Sequence, residues 1–292
     1  MPLNSASVGS STGPIVHNID ERWLMAYAAG IGDTLPCYLD TLRPGGIVAH
    51  PLFPVCIEWP AILAMRRSAE QSGLSADEAA RAVHAAHDLN IYRPIRPGDR
   101  LTTRATVVGV ERRKSAAFQI TRLDTTDAAG DPVCTTWQGS MFRGVDVSGK
   151  DHPAATAPPP PEEVHVLCPR GEAPVPISSL AAHIYTECAH IWNPIHTDTA
   201  VAVRAGLPGL ILHGTATLAF AVSRILEMEG GNEPGRVNRI AGQFRAMVAM
   251  PSAITVRVLS RARTSAGDIV RFEVCNGEGK AAVQNGLIGL RV

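Results

Sequence analysis

Apolar residues fall into two patterns along this chain, and the pair of patterns occurs twice. Residues 23–29 (WLMAYAA) and 180–189 read as short helices, and each leads into a proline-stiffened turn, at Leu35-Pro36 and at Asn193-Pro194. A longer apolar run follows each turn, the first ending at Met65 and the second running over residues 215–228. In the second run Leu218, Val222 and Ile225, with Phe220 and Ala221, recur at helical spacing as a broad stripe suited to burial. The period then changes to two. Strands are predicted over residues 89–92, 101–110, 117–124 and 133–143, and again over 240–244, 254–259, 269–274 and 281–292. Gly, Asp and Asn turns separate them, as at Asp127–Gly130 and Asn276–Gly279.

Between the two sets lies SGKDHPAATAPPPPEE, residues 148–163, whose consecutive prolines favour an extended connector over packed structure. The expected organisation is therefore an N-terminal repeat over 1–147, a linker over 148–163 and a C-terminal repeat over 164–292. A long apolar helix followed by antiparallel strands is an α+β arrangement in which the sheet wraps the helix.

Composition narrows the function. The 292 residues are 45% hydrophobic and 18% charged, with 27 basic and 27 acidic side chains, so no net charge favours nucleic acid or an anionic membrane. The six cysteines are scattered, without CxxC or metal-ligand spacing, and read as reduced structural thiols. The first fifteen residues have neither a basic start nor a continuous apolar core, and no run reaches the about 18 apolar residues of a membrane span. A cytoplasmic protein is expected, with no metal and no separate cofactor.

The candidate chemistry lies in residues 185–228. Asn193-Pro194-Ile195-His196-Thr197-Asp198 and Leu212-His213-Gly214-Thr215 place one histidine after a stiff turn and another just before a helix N-terminus. Histidine is the usual side chain for proton transfer near neutral pH. A glycine at a helix N-terminus presents an unblocked N–H with the positive end of the dipole behind it. A metal site built from His190, His196 and His213 has no supporting H-E-x-x-H or Cys/His framework.

The segment from Tyr185 to Ala202 with Ile211 to Ala219 resembles the MaoC-like family of type-2, R-specific enoyl-CoA hydratases and hydroxyacyl-thioester dehydratases. The duplication around the linker resembles the double hot-dog members of that family. The family signature is Asp-x-Asn-Pro-x-His. The resemblance implies that His196 is the catalytic histidine, that Asn193 and Pro194 are the Asn-Pro pair, and that the Gly214 N–H binds the thioester carbonyl oxygen. The Asp position holds Ile191, which can neither accept a proton nor hold a water. His190, where the family usually has glycine, is the candidate second proton carrier, ahead of Glu187. Asp198 or Thr197 fits better as the cap of the following helix.

His213 is expected to orient the turn before Gly214, Trp192 to pack or to line the acyl tunnel, and Arg245 to meet the phosphates of a coenzyme A carrier. The Arg112-Arg113-Lys114 cluster reads better as a solvated strand end. In the N-terminal repeat Tyr38 stands at the His196 position, Leu35 at Asn193 and Pro51 at Gly214. Proline has no N–H, so that repeat is expected to shape the acyl tunnel without catalysing. Its Asp33 keeps the lost carboxylate but is expected to lie apart from His196.

The leading expectation is hydration of an enoyl-CoA, or the reverse dehydration of a 3-hydroxyacyl thioester, on a coenzyme A or carrier-protein substrate. The alternatives are another reaction on an acyl thioester, namely isomerisation, elimination or hydrolysis, or a non-catalytic thioester-binding protein. A homodimer of double hot-dogs remains open.

Overall fold

The computed structural model describes residues 2–71, 74–75, 78–79, 82–164 and 166–292. Along the chain the elements are β1 (Leu3–Asn4), β2 (Ile15–Asn18), α1 (Glu21–Gly30), α2 (Pro36–Leu39), α3 (Pro54–Gln71), β3 (Ala82–Ile91), β4 (Arg100–Arg113), β5 (Ala116–Thr126), β6 (Pro132–Arg143) and β7 (Val147–Ser148). After the Pro-rich connector come β8 (Gly171–Ile177), α4 (Ala181–Ala189), α5 (Thr199–Arg204), α6 (Gly214–Glu229), β9 (Val237–Phe244), β10 (Ser252–Thr264), β11 (Gly267–Cys275) and β12 (Ala281–Leu290). Each long apolar run is a helix and each period-two stretch a strand. The short β2 and β8 are additions that periodicity did not reveal.

Backbone contacts divide the chain into two compact units. The first comprises residues 1–17, 57–90 and 100–159, and the second 18–56, 91–99 and 160–292. Residues 18–56 of the N-terminal half thus cluster with the C-terminal half, so the units cut across a division at the linker.

In the first unit the strand order is β2-β4-β5-β6-β3, with β4, β5 and β6 antiparallel. A bulge between Val107 and Gly109 bends β4. Ala61 and Met65 of α3 pack on Ala105, Val107, Ala117 and Leu123 of the sheet. Arg112 is taken up locally, by Asp151 at 3.0 Å and by the Val147 and Gly149 carbonyls at 2.7 and 2.8 Å, which ties the start of the connector to β4.

In the second unit the order is β9-β12-β11-β10-β8, every neighbouring pair antiparallel. Helix α6 buries Leu218, Ala221, Val222 and Ile225, with Phe220 half-buried at the edge of the stripe. Each large aliphatic side chain so buried contributes roughly 1.5–3 kcal/mol. Helix α1 packs on α4 so closely that a Cβ on Gly30 would lie 2.7 Å from the Cβ of Cys188.

A buried polar chain fixes residues 33–52 onto α6. The Leu52 N–H donates to Nδ1 of His50 at 3.1 Å, so Nε2 carries the ring proton and faces the Ser223 hydroxyl at 3.3 Å. Ser223 in turn donates to Asp33 at 2.6 Å, and the Leu35 N–H donates to the other carboxylate oxygen. Burial pushes the His50 pKa down to about 4, against the opposing pull of Asp33. Because the folded protein resists protonation of His50 while the unfolded chain protonates near 6.5, stability from this group is present above about 6.5 and is lost as pH falls toward about 4. The melting temperature is expected to fall across that window, and less steeply in His50→Gln; equal slopes in thermal melts of the two proteins would remove His50 as a source.

Candidate active site

Three short pieces of the second unit build the site: the end of α4, the turn at 191–198 and the first turn of α6. Helix α4 buries Ala182, Tyr185, Thr186 and Ala189, the i, i+3, i+4, i+7 face. It ends at His190, whose φ of 57° is left-handed, a conformation that glycine adopts without steric cost. The Ile191 N–H then returns to the Thr186 carbonyl at 3.1 Å, and the His196 N–H to the Asn193 carbonyl at 3.1 Å. Asp198 caps α5 by accepting from the Ala200 and Val201 N–H groups, as expected for a cap.

This framework seats His196, which is 9% exposed. Its Nδ1 lies 2.9 Å from the Ile211 carbonyl oxygen. A carbonyl can only accept, so Nδ1 carries the proton and Nε2 bears the lone pair of the neutral ring. The acceptor is itself held, because Ile211 bridges to Ala249 and the Leu212 N–H donates to the Val248 carbonyl at 2.9 Å. The ring stacks on His213 with centroids 3.8 Å apart and planes 28° from parallel.

His213 is 2% exposed, and Nε2 meets the Thr186 hydroxyl at 3.2 Å, while Nδ1 faces the Ile191 backbone outside hydrogen-bond geometry. Burial, followed by repulsion from His196, holds its pKa well below the usual imidazole range, so His213 stays neutral. Gly214 opens α6, and its N–H has no acceptor among the described residues. Phe244 lies against it: a Cβ on Gly214 would stand 3.1 Å from that ring.

His196, His213 and Gly214 are therefore brought together. Ile191 is 5% exposed, and its backbone lies near His213. Asn193 acts on His196 through its backbone carbonyl. Arg245 is exposed, one residue beyond Phe244, and is bonded to Gln243. His190, expected as a second proton carrier, is not brought to His196. Its exposed ring is sandwiched between Trp23 at 4.7 Å and Trp192 at 5.3 Å, because the left-handed cap turns the side chain toward the two tryptophans. Trp192 is 57% exposed and forms the outer layer of that stack. Asp33 is committed to Ser223. No group of three His, Cys, Asp or Glu side chains among the described residues is placed to hold a metal ion.

Two residues escaped the sequence reading. Thr186 orients His213, and Tyr185 lies 5.0 Å from the His213 ring, centroid to centroid. Their signal was the helical spacing with Ala182 and Ala189. The Tyr185 hydroxyl is buried close to Thr215 and Tyr27 without meeting hydrogen-bond geometry, and burial raises its pKa.

Comparison with known proteins identifies the fold and the kind of domain. Residues 167–280 match the model of the MaoC like domain, and residues 6–136 match the model described as FAS1-like, dehydratase domain region. Residues 167–280 are thus similar to a MaoC-like domain, and the fold of the chain is the double hot-dog. It is similar to 3-hydroxyacyl-thioester dehydratase Y of Mycobacterium tuberculosis, 22% identical over 97% of this chain and 95% of the relative. The peroxisomal enoyl-CoA hydratase 2 of Arabidopsis thaliana is 25% identical over 57% of this chain and 56% of its own length. The crystal structure of a MaoC-like dehydratase from Phytophthora capsici superposes with a TM-score of 0.85, at 21% identity, over 98% of this chain and 97% of that one. No helix among the described residues is long and apolar enough to cross a membrane.

Tyr185→Phe removes one buried hydroxyl that no partner satisfies and leaves the ring in place. Leaving such a group unpaired costs about 1–3 kcal/mol. The variant is expected to melt at or above the wild-type temperature; a clear drop in a thermal melt would show that the hydroxyl is paired in the folded protein.

Proposed function

We propose that the second unit catalyses reversible hydration of an enoyl thioester, equivalently dehydration of a 3-hydroxyacyl thioester, with His196 as its one general acid/base. The observation that carries this reading is the fixed tautomer of His196, Nδ1–H on the Ile211 carbonyl, a residue away from the turn that presents the Gly214 N–H. The MaoC-like family and the hydratase and dehydratase names of the relatives support the reaction class.

In the dehydration direction Nε2 of His196 takes the proton from the carbon next to the thioester carbonyl. The electrons pass into the carbonyl, and the resulting enolate oxygen accepts from the Gly214 N–H, reinforced by the dipole of the 16-residue α6. The enolate then forms the double bond and expels the 3-hydroxyl, which takes the proton back from the imidazolium and leaves as water. Ile191 supplies no second proton carrier, so one ring must serve both positions. Both groups therefore leave from the same face. His213, held neutral by burial, supports His196 by stacking without competing for the proton.

The buried Ile191 favours a second reading, in which proton movement without water loss isomerises the enoyl group. Mass separates the two, because hydration adds one water and isomerisation adds nothing.

His196→Ala is expected to lower the hydration rate of a short-chain enoyl-CoA by about 10²–10⁴ with the fold intact, followed by mass spectrometry of the thioester. An unchanged rate would remove His196 from the mechanism. Gly214→Pro tests the oxyanion donor when read beside Gly214→Ala, which adds the same Cβ against Phe244 and keeps the N–H. Proline is favoured at the first helical position, and His213, at φ −59° and ψ 137°, already has the backbone that a following proline requires. The N–H is lost, and kcat is expected to fall about 10²–10³ with KM little changed; full activity in a folded Gly214→Pro protein would exclude the Gly214 N–H as donor.

A further inference from the structure

A sheet wrapped around a helix turns apolar side chains inward, and the second unit obeys this with Ile254, Val256, Val270, Phe272, Val283 and Ile288, all fully buried. The first unit breaks the rule. The inward positions of β5 and β6 hold Gln119, Thr121, Gln138 and Ser140, each less than 10% exposed. The register sets Gln119 opposite Ser140 and Thr121 opposite Gln138, so the four form one polar patch. Buried amides and hydroxyls are costly unless they are fully hydrogen-bonded. Here Gln119 donates to Thr121 at 3.1 Å and Gln138 to Ser140 at 3.3 Å, one donor bond from each carboxamide. A carboxamide has two N–H groups and a carbonyl, so most of that capacity is unspent.

Helix α3 faces the patch with Ile62, Met65 and Arg66, closing a cavity of about 20 Å³. That is room for one water-sized polar group. The Arg66 guanidinium lies over Trp59 at 5.2 Å and makes no ion pair or hydrogen bond among the described residues. Glu58, the buried acid of the same helix, is bonded to Thr136 instead. Burial pushes the Arg66 pKa down, as expected of a cation drawn out of water.

We propose that the first unit contains a carboxylate-binding site, in which Arg66 supplies the charge and Gln119, Thr121, Gln138 and Ser140 supply the neutral donors and acceptors around it. A partly desolvated guanidinium calls for an anion, and its planar fork matches the two oxygens of a carboxylate. The cavity admits one oxygen of the carboxylate, and the rest of the ligand stays outside it. The carboxylate belongs either to a free acid or to the far end of a carboxylated acyl thioester. This proposal does not rest on the reaction proposed above and is tested by binding alone.

The experiment measures equilibrium binding to the full chain carrying His196→Ala, with and without Arg66→Gln or Arg66→Lys. Glutarate and adipate are compared with uncharged 1,6-hexanediol, and a six-carbon enoyl-CoA ending in a carboxylate is compared with hex-2-enoyl-CoA. Saturable binding of the diacids, weakened about tenfold by Arg66→Gln and partly restored by Arg66→Lys, supports a site for a free acid. A preference of about tenfold for the carboxylated thioester that disappears in Arg66→Gln, with no diacid binding, assigns the carboxylate to the acyl group. Equal binding of charged and uncharged probes by protein with Arg66 intact overturns the proposal, whether or not the Arg66 variants fold. A carboxylate preference that persists in a folded Arg66→Gln protein also overturns it.

Discussion

The site depends on one hydrogen bond, from Nδ1 of His196 to the Ile211 carbonyl. That bond fixes which ring nitrogen can exchange a proton, and it holds because the carbonyl belongs to a backbone clamped to residues 248 and 249. The rest of the site follows from it. His213 stacks on the ring so held, at 3.8 Å, and it is kept neutral by burial and by the proximity of His196. Gly214 then comes next in the chain, at the point where α6 offers its first N–H.

Within the second unit the residues before α3 repeat these contacts with different chemistry. Tyr27 lies 5.7 Å from the His50 ring, as Tyr185 lies 5.0 Å from His213, and Tyr38 takes the place of His196. The Tyr38 hydroxyl is buried and unpartnered with a strongly raised pKa, and Pro51 has no N–H to offer an oxyanion. Asp33, the carboxylate that Ile191 replaced in the other copy, is spent on Ser223 and the His50 chain. One copy thus keeps the histidine and the donor, and the other keeps the acid as a structural group that secures residues 33–52 to α6.

Much of this was legible in the sequence because it is local. The spacing from Asn193 to His196, the glycine at the start of an apolar run and the period change from helix to strand are contained in short windows. Strand β8 was not legible, because Pro174 and Pro176 argue against a strand; it is the terminal strand of its sheet order, where missing N–H groups cost least. The surroundings of His190 were not legible for a long-range reason. Its sequence neighbour is the lost Asp position, but its spatial neighbours include Trp23 from α1. The polar patch at Gln119 and Gln138 escaped notice because strand alternation shows which residues share a face, and only the fold shows that this face is the buried one.

A single imidazole is proposed to handle both protons. The most direct measurement is the stereochemistry of hydration of an enoyl-CoA in deuterium oxide, read by NMR of the 3-hydroxyacyl product. One carrier on one face predicts that deuterium at the carbon next to the carbonyl and the new hydroxyl enter from the same side. Addition from opposite faces would require a second proton carrier and would exclude His196 as the single one.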